Sequence, residues 1–373
     1  MKKIISAIIA LTLCLSFSSL HAESLEALTS KAEQGDARAQ DKLGQMYDDG
    51  DGIEVDDVKA VYLFQKAADQ GDAEAQYHLA LMYDNGEGVE DDSVKAAEWY
   101  LKSAEQGFAF AQFNLGVCYE DGDGVEKNPV KAVEWYREAA EQGDDDAQFN
   151  LAVMYEDGNG VEQDLQQAFS WYEKSAKQGD SDAQYNLALI YDNGEGREED
   201  DEKAVYWYQQ SADQGDSDAQ FNLGVMYDNG EGVDEDNITA VSWYQKSADQ
   251  GDSDAQYNLA MMYDNGEGVK RNKVQAVHWY QMAAEQGDPD AQNNLGVMYQ
   301  NGEGVNRNPT TAAKWYRLAV EQGDVTGQYN LGMLYLNGDG VRKNKQKAIE
   351  LLKLSSEQGD EDATSELHKF GVL

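Results

Sequence analysis

Ala219-Gln220-Phe221-Asn222-Leu223-Gly224-Val225-Met226-Tyr227-Asp228-Asn229-Gly230-Glu231-Gly232-Val233 is the stretch that decides the fold. Ala219, Leu223 and Tyr227 stand four residues apart, so they share one face of a helix. Gly230 and Gly232 then stop that helix, because glycine enters left-handed backbone conformations without a steric penalty. The same string returns every 36 residues. A Gln-Gly pair begins at Gln34, Gln70, Gln106, Gln142, Gln178, Gln214, Gln250, Gln286, Gln322 and Gln358, with no spacing broken. All seven tryptophans keep the period too, at Trp99, Trp135, Trp171, Trp207, Trp243, Trp279 and Trp315. Such a repeat marks a stacked array, in which each unit buries its apolar face on its neighbours.

The unit Gly107–Gln142 shows what each copy contains. Ala111, Leu115, Val117, Cys118 and Tyr119 predict a first helix, A, over Phe108–Tyr119. In most copies an Asp after the Gly, such as Asp144 or Asp180, is placed to cap it. A second helix, B, is predicted from Pro129 to Glu141, with an apolar stripe of Ala132, Val133, Trp135, Tyr136, Ala139 and Ala140. Its start is marked by a capping residue type in every copy: Asp56, Asp92, Asn128, Asp164, Asp200, Asp236, Asn272, Asn308 and Asn344. Pro129 and Pro309 follow two of these, at a helical position where no backbone N–H is needed. Two antiparallel helices per period predict an all-α solenoid of αα-hairpins. Nine 36-residue units result: 35–70, 71–106, 107–142, 143–178, 179–214, 215–250, 251–286, 287–322 and 323–358. Half-repeat caps are expected at 23–34 and 359–373.

Lys203-Ala204-Val205-Tyr206-Trp207-Tyr208, followed by Ser211-Ala212 and Gln214-Gly215, forms the second half of the unit. Together with the opening stretch it resembles the Sel1-like repeat, over the whole chain beyond residue 22. The resemblance implies a tetratricopeptide-like right-handed superhelix with a concave groove. It also implies an adaptor of signalling, envelope or host-interaction complexes that binds proteins or peptides without catalysis or cofactor.

On the wheel of helix A, the positions of Asp218, Phe221, Asn222 and Val225 fall at i, i+3, i+4 and i+7 and share one face. One ladder along it is Tyr77, Phe113, Phe149, Tyr185, Phe221, Tyr257 and Tyr329, interrupted by Asn293. A second is Asn114, Asn150, Asn186, Asn222, Asn258, Asn294 and Asn330, with Lys42 and His78 at its N-terminal end. By resemblance to tetratricopeptide domains, the amides pair with ligand backbone and the aromatics hold ligand side chains. A structural reading stays open beside it, in which the amides bond to neighbouring helices and the rings pack between units. Gln40, Gln76, Gln112 and their register-mates up to Gln328 are read as structural, and the tryptophans and alanine pairs of helix B as core. Asp146, Asp182, Asp218, Asp254 and Asp290 make the face acidic, which suits a partner with basic segments.

Composition narrows the partners. The chain carries 71 acidic and 29 basic residues, a formal net charge of −42. That surface repels nucleic acid and anionic lipid headgroups, which need Lys and Arg to displace their counterions. With 41% apolar residues the chain is nonetheless rich enough to fold, and the charge itself favours a soluble monomer. Lys2 and Lys3, the apolar run Ile4 to Leu20, and small Ala22 read as a signal peptide over 1–22, which implies a periplasmic or secreted protein. Removing it leaves Cys118 alone, so no intramolecular disulfide is available.

Catalytic patterns are scarce. The chain shows no H-E-x-x-H, G-x-S-x-G, P-loop or S-x-x-K motif and no cysteine pair for zinc. A cysteine-rich secreted branch of the Sel1-like family, linked to β-lactam binding or hydrolysis, supplies an alternative: a hydrolase or accessory factor acting on such compounds or on cell wall. The chain departs from that branch because it lacks the paired cysteines. Loops such as Asp84-Asn85-Gly86-Glu87-Gly88 faintly resemble calcium loops, but glycine takes positions 3 and 5, where an EF-hand needs side-chain oxygens. One asymmetry interrupts the pattern. The loops between A and B are acidic early, as in Glu90-Asp91-Asp92 and Glu198-Glu199-Asp200-Asp201, and basic late, as in Lys270-Arg271, Arg307 and Arg342-Lys343. Drift on a solvated loop accounts for this, as does an array whose two ends meet different partners.

Overall fold

The computed structural model describes residues 24–372. The expected signal peptide, 1–22, lies outside them. Among the described residues there are 20 helices and no strand. No described helix is long and apolar enough to cross a membrane. The chain divides at Gln178 and Gly179 into two compact units.

The first unit opens on a half-repeat helix, Leu25–Glu33, then alternates A and B helices. Its A helices are Ala37–Asp49, Ala73–Asn85, Ala109–Asp121 and Asp145–Asp157; its B helices are Asp57–Ala68, Ser93–Ala104, Pro129–Glu141 and Leu165–Gln178. The second unit follows the same order from Ser181–Asn193 to Lys345–Glu357 and closes on the half-repeat helix Glu361–Lys369. Inside each unit, every A helix packs on the helices that flank it within that unit. That is consecutive helix-pair stacking, the arrangement of a solenoid.

Local chemistry places these boundaries. Asp216 Oδ1 accepts from the Ala219 N–H at 2.6 Å, and Asp200 Oδ1 from the Lys203 N–H at 3.2 Å, so both helix types begin at a side-chain cap. Gly230, at φ 73°, ends its A helix, which reaches Asn229. In the unit quoted above, helix A spans Ala109–Asp121 and so extends two residues past the expected Tyr119. Phe108 stands at the cap position instead of inside the helix.

The core is a row of tyrosines. Tyr100, Tyr136 and Tyr172 in the first unit, and Tyr208, Tyr244, Tyr280 and Tyr316 in the second, are at most 2% exposed. Burying each ring is worth about 2–3 kcal/mol. Six of the seven, all but Tyr280, donate from the hydroxyl to an acceptor 16 residues back, as Tyr136 does to Glu120 at 2.6 Å and Tyr208 to Asp192 at 3.0 Å. The preceding tryptophans, expected as core, are buried at Trp171, Trp243 and Trp279, 6% to 8% exposed, and partly buried in the other repeats. Trp135 is half-buried, and several carry an ammonium on the outer ring face, as Lys246 Nζ does 3.4 Å from Trp243. The alanine pairs do lie in the core: Ala139 and Ala140 are 0% and 2% exposed.

The glutamines are structural, as expected. Gln250 Nε2 donates to Gln220 Oε1 at 2.9 Å and to Gly215 O at 2.8 Å, while Gln220 Nε2 donates to Ala212 O at 3.0 Å. The pair clips the end of one B helix to the A helix between it and the previous B helix. It recurs as Gln70 with Gln40, Gln142 with Gln112 and Gln322 with Gln292. Buried amides must be satisfied, and this clip satisfies them.

Candidate functional site

Helix A presents one stripe to the core and another outward. Ala219 and Leu223 are fully buried, whereas Phe221, Asn222 and Val225 are half-buried and Asp218 is exposed. The same division holds for Tyr77, Phe113, Asn114, Phe149 and Asn150 in the first unit. It holds again for Tyr185, Asn186, Tyr257, Asn258, Asn294, Tyr329 and Asn330 in the second. The ladder residues therefore share the half-buried side of helix A.

Contacts show what the two ladders do inside the chain. Each ladder aromatic except Tyr329, which packs on the Leu352 cluster, lies against the buried tyrosine of its own repeat: Phe113 on Tyr136 with centroids 5.8 Å apart, Phe221 on Tyr244 at 5.9 Å, Tyr257 on Tyr280 at 5.9 Å. The amides bond across repeats. Asn222 Nδ2 donates to the Tyr185 hydroxyl at 3.4 Å, and Asn114 and Asn294 stand in the same relation to Tyr77 and Tyr257. Some also bond within their own helix, as Asn114 does to Phe110 O at 2.8 Å and Asn186 to Asp182 O at 2.9 Å. Where Asn293 interrupts the aromatics, its Oδ1 accepts from Asn330 Nδ2 at 2.9 Å, so the amide replaces the missing hydroxyl. An amide offers more than one bond, and on a half-buried side chain the remaining capacity faces outward.

The face is held acidic under strain. Burial, and then the neighbouring aspartates, push the cap carboxyls Asp216, Asp252 and Asp288 above the usual carboxylate range. Asp146 is raised the same way, by burial and then by Asp145. A carboxyl raised on folding favours the folded state fully below its unfolded pKa, and that contribution is lost as pH rises through the folded value. The exposed B-helix caps run oppositely: bonds to Lys59, Lys95 and Lys203 hold Asp56, Asp92 and Asp200 low, which adds stability above the unfolded carboxylate range. Those pairs are solvent-exposed and screened, so the buried caps and the overall repulsion decide the sign. The expected result is a chain lacking residues 1–22 that melts higher near pH 4, where these raised carboxyls still hold protons, than at pH 8 in low salt. Added salt should raise the pH 8 value and narrow the difference. A melting curve independent of both would refute this account.

Two features of the first unit escaped the sequence reading. Asp41 and His78, one repeat apart where the ladders elsewhere carry an aromatic and an asparagine, form a pair at 2.8 Å, with Asp41 4% exposed. The second feature is aromatic. Tyr77, Phe108 and Phe110 cluster with centroids 5.2 to 6.1 Å apart, and Phe110 is 56% exposed. Among the described A helices, Ala109–Asp121 alone lacks a side-chain cap, because Phe108 stands where the others carry Asp. The signal was present in Gly107-Phe108-Ala109-Phe110, which replaces the repeated Gly-Asp-x-Asp. Cys118, the free thiol, lies in the core, and burial followed by Asp84 and Asp123 pushes it up to about 12. It is a thiol at neutral pH and a poor nucleophile.

Known proteins share this architecture. The Sel1 repeat pattern matches 37–72, 73–108, 109–144, 145–180, 181–216, 217–252, 253–288, 289–324 and 325–360. The crystal structure of c5321, a protective antigen present in uropathogenic Escherichia coli strains displaying an SLR fold, matches with a TM-score of 0.79 and 35% identity. That match covers 94% of this chain and 84% of that one. A Sel1 repeat protein from Oxalobacter formigenes matches with a TM-score of 0.62 and 34% identity, over 82% of this chain and 89% of that one. No curated protein matches the chain. Nine consecutive matched repeats, stacked as helix pairs in a fold that serves protein interaction, make the chain a member of the Sel1 repeat family.

Proposed function

We propose that the chain is an exported, monomeric, non-enzymatic adaptor that takes protein or peptide segments on the outward face of its A helices. The observation that carries this is the cluster of Tyr77, Phe108 and Phe110. An aromatic patch at the edge of an acidic face is a natural anchor for one apolar partner residue, with basic residues flanking it. It also breaks the repeat at a cost: the missing Asp cap is worth about 1 kcal/mol. Phe108 packs half-buried against the core of its repeat, which leaves Phe110, 56% exposed, as the ring of the cluster open to a partner. Export is supported by Lys2, Lys3 and the apolar run to Leu20, and by the likeness to a protective antigen. The ladder residues Phe113, Asn114, Phe149 and Asn150 continue the face beyond the cluster, and the corresponding residues of the second unit offer the same chemistry.

The test separates folding from recognition. Phe108→Asp combined with Phe110→Asp restores the repeat pattern, and the regained cap, worth about 1 kcal/mol, offsets the packing lost at Phe108, so the fold should be retained. Partner capture from envelope and secreted fractions should fall by about tenfold, the loss of one aromatic anchor. A partner held equally by both proteins would move recognition away from this face. A second variant, Asn186→Ala with Asn222→Ala and Asn258→Ala, asks whether the amide ladder contributes.

A further inference from the structure

Late in the chain, loop cations of one repeat hold the loop carboxylate of the next. Lys273, the first residue of its B helix, pairs with Asp264 and reaches Glu303 of the following loop at 2.9 Å. Arg307 reaches Asp339 of the loop after its own at 2.5 Å. Glu303 and Asp339 each stand between two glycines, Gly302 and Gly304 or Gly338 and Gly340, all at positive φ. The recognised element is therefore a carboxylate presented on a glycine turn.

Lys343 and Lys345 occupy the register positions of Arg307 and Lys273. They line an open cavity of about 630 Å³ together with Arg317, Arg342, Lys347 and Tyr335. No carboxylate lines it, and all five cations are exposed. Among the described residues none of the five forms an ion pair. Lys345 Nζ rests 4.8 Å from the Phe370 ring centroid and Lys347 Nζ 5.5 Å from that of Tyr335. At the positions of Arg342, Lys343 and Lys345, four repeats earlier, the chain carries Glu198, Glu199 and Asp201. Five cations facing one cavity repel one another, and an acidic ligand relieves that repulsion.

We propose that this cavity binds an acidic, glycine-turned peptide segment of a partner protein, its carboxylate held by Lys343 and Lys345 as Asp339 and Glu303 are held within the chain. The proposal does not depend on the A-helix face. The probe is a fluorescein-labelled peptide, Asp-Asn-Gly-Glu-Gly-Val-Glu-Asp-Asp, which copies residues 84–92. Its anisotropy is followed on the full chain lacking 1–22. Saturable binding is expected, weakened roughly tenfold or more by Arg342→Glu, Lys343→Glu and Lys345→Glu together and by raised salt. Lys270→Glu should leave it unchanged. Circular dichroism checks the folding of the triple variant, and Lys343→Gln with Lys345→Gln replaces it if folding fails. Equal binding by wild type and variant, equal binding of a peptide with Asn and Gln for its acids, or displacement by millimolar inorganic phosphate would each overturn the proposal. Sedimentation velocity of the chain alone supplies the remaining arm. Self-association lost in the triple variant would give the cavity to a second copy and overturn the partner assignment.

Discussion

Gly232→Ala should destabilise the second unit by about 3 kcal/mol or more, whereas Gly215→Ala should cost about 1 kcal/mol. Both glycines have positive φ, 67° and 107°, so both substitutions carry the left-handed penalty of an L-residue. They differ in what surrounds them. A Cβ on Gly232 would lie 2.3 Å from Asp201 O and 2.4 Å from its carbonyl carbon, at the start of the preceding B helix. A Cβ on Gly215 meets nothing within 4 Å. Backbone cannot rotate out of the way as a side chain can, so the loop must lift off the neighbouring repeat and expose the seam between them. The same approach recurs at Gly268 against Asn237 and at Gly304 against Lys273, which makes the second loop glycine a stacking residue as well as a turn residue. Urea unfolding followed by far-UV circular dichroism distinguishes the two variants. Repeat arrays can lose two-state behaviour, so an early partial transition in Gly232→Ala is the expected signature. Equal midpoints for both variants would show that the close approach carries no energy.

Much of this was legible in the sequence because caps, glycine turns and apolar stripes act over a few residues. Asp216, Asp200 and Gly230 announce helix ends by chemistry that needs no partner elsewhere. What the sequence hid depends on residues 30 to 37 apart meeting in space, as Gln250 meets Gln220 and Asn222 meets Tyr185. The tryptophans illustrate the limit. Their perfect period marks them all as core, and Trp243 is buried at 7%, but Trp135 and Trp207 are only half-buried, because the outer ring edge is left for lysine stems. Period alone reports that a position is constrained, not by which neighbour. The face of the A helices was legible for the same reason as the helices themselves. The cluster of Tyr77, Phe108 and Phe110 was not, because Phe108 and Phe110 occur in one copy only and carry no period.

The glutamine and asparagine ladders are equally regular in sequence, and substitution should tell them apart. Gln220→Ala is expected to cost about 2 kcal/mol and Asn222→Ala less than about 1 kcal/mol. Gln220 is 4% exposed, accepts from Gln250 at 2.9 Å and donates to Ala212 O at 3.0 Å. Its removal deletes one buried and one part-buried hydrogen bond and opens a void at a buried position. Gln250 keeps its bond to Gly215 O, which limits the loss. Asn222 is half-buried, and its bond to Tyr185 is long, at 3.4 Å, so water can replace the amide at small cost. A residue whose truncation barely affects folding is free to serve recognition; one that holds the stack together is not. If Asn222→Ala matched Gln220→Ala in unfolding midpoint, the amide ladder would be a second structural clip, and recognition on this face would fall to the aromatics and the aspartates alone.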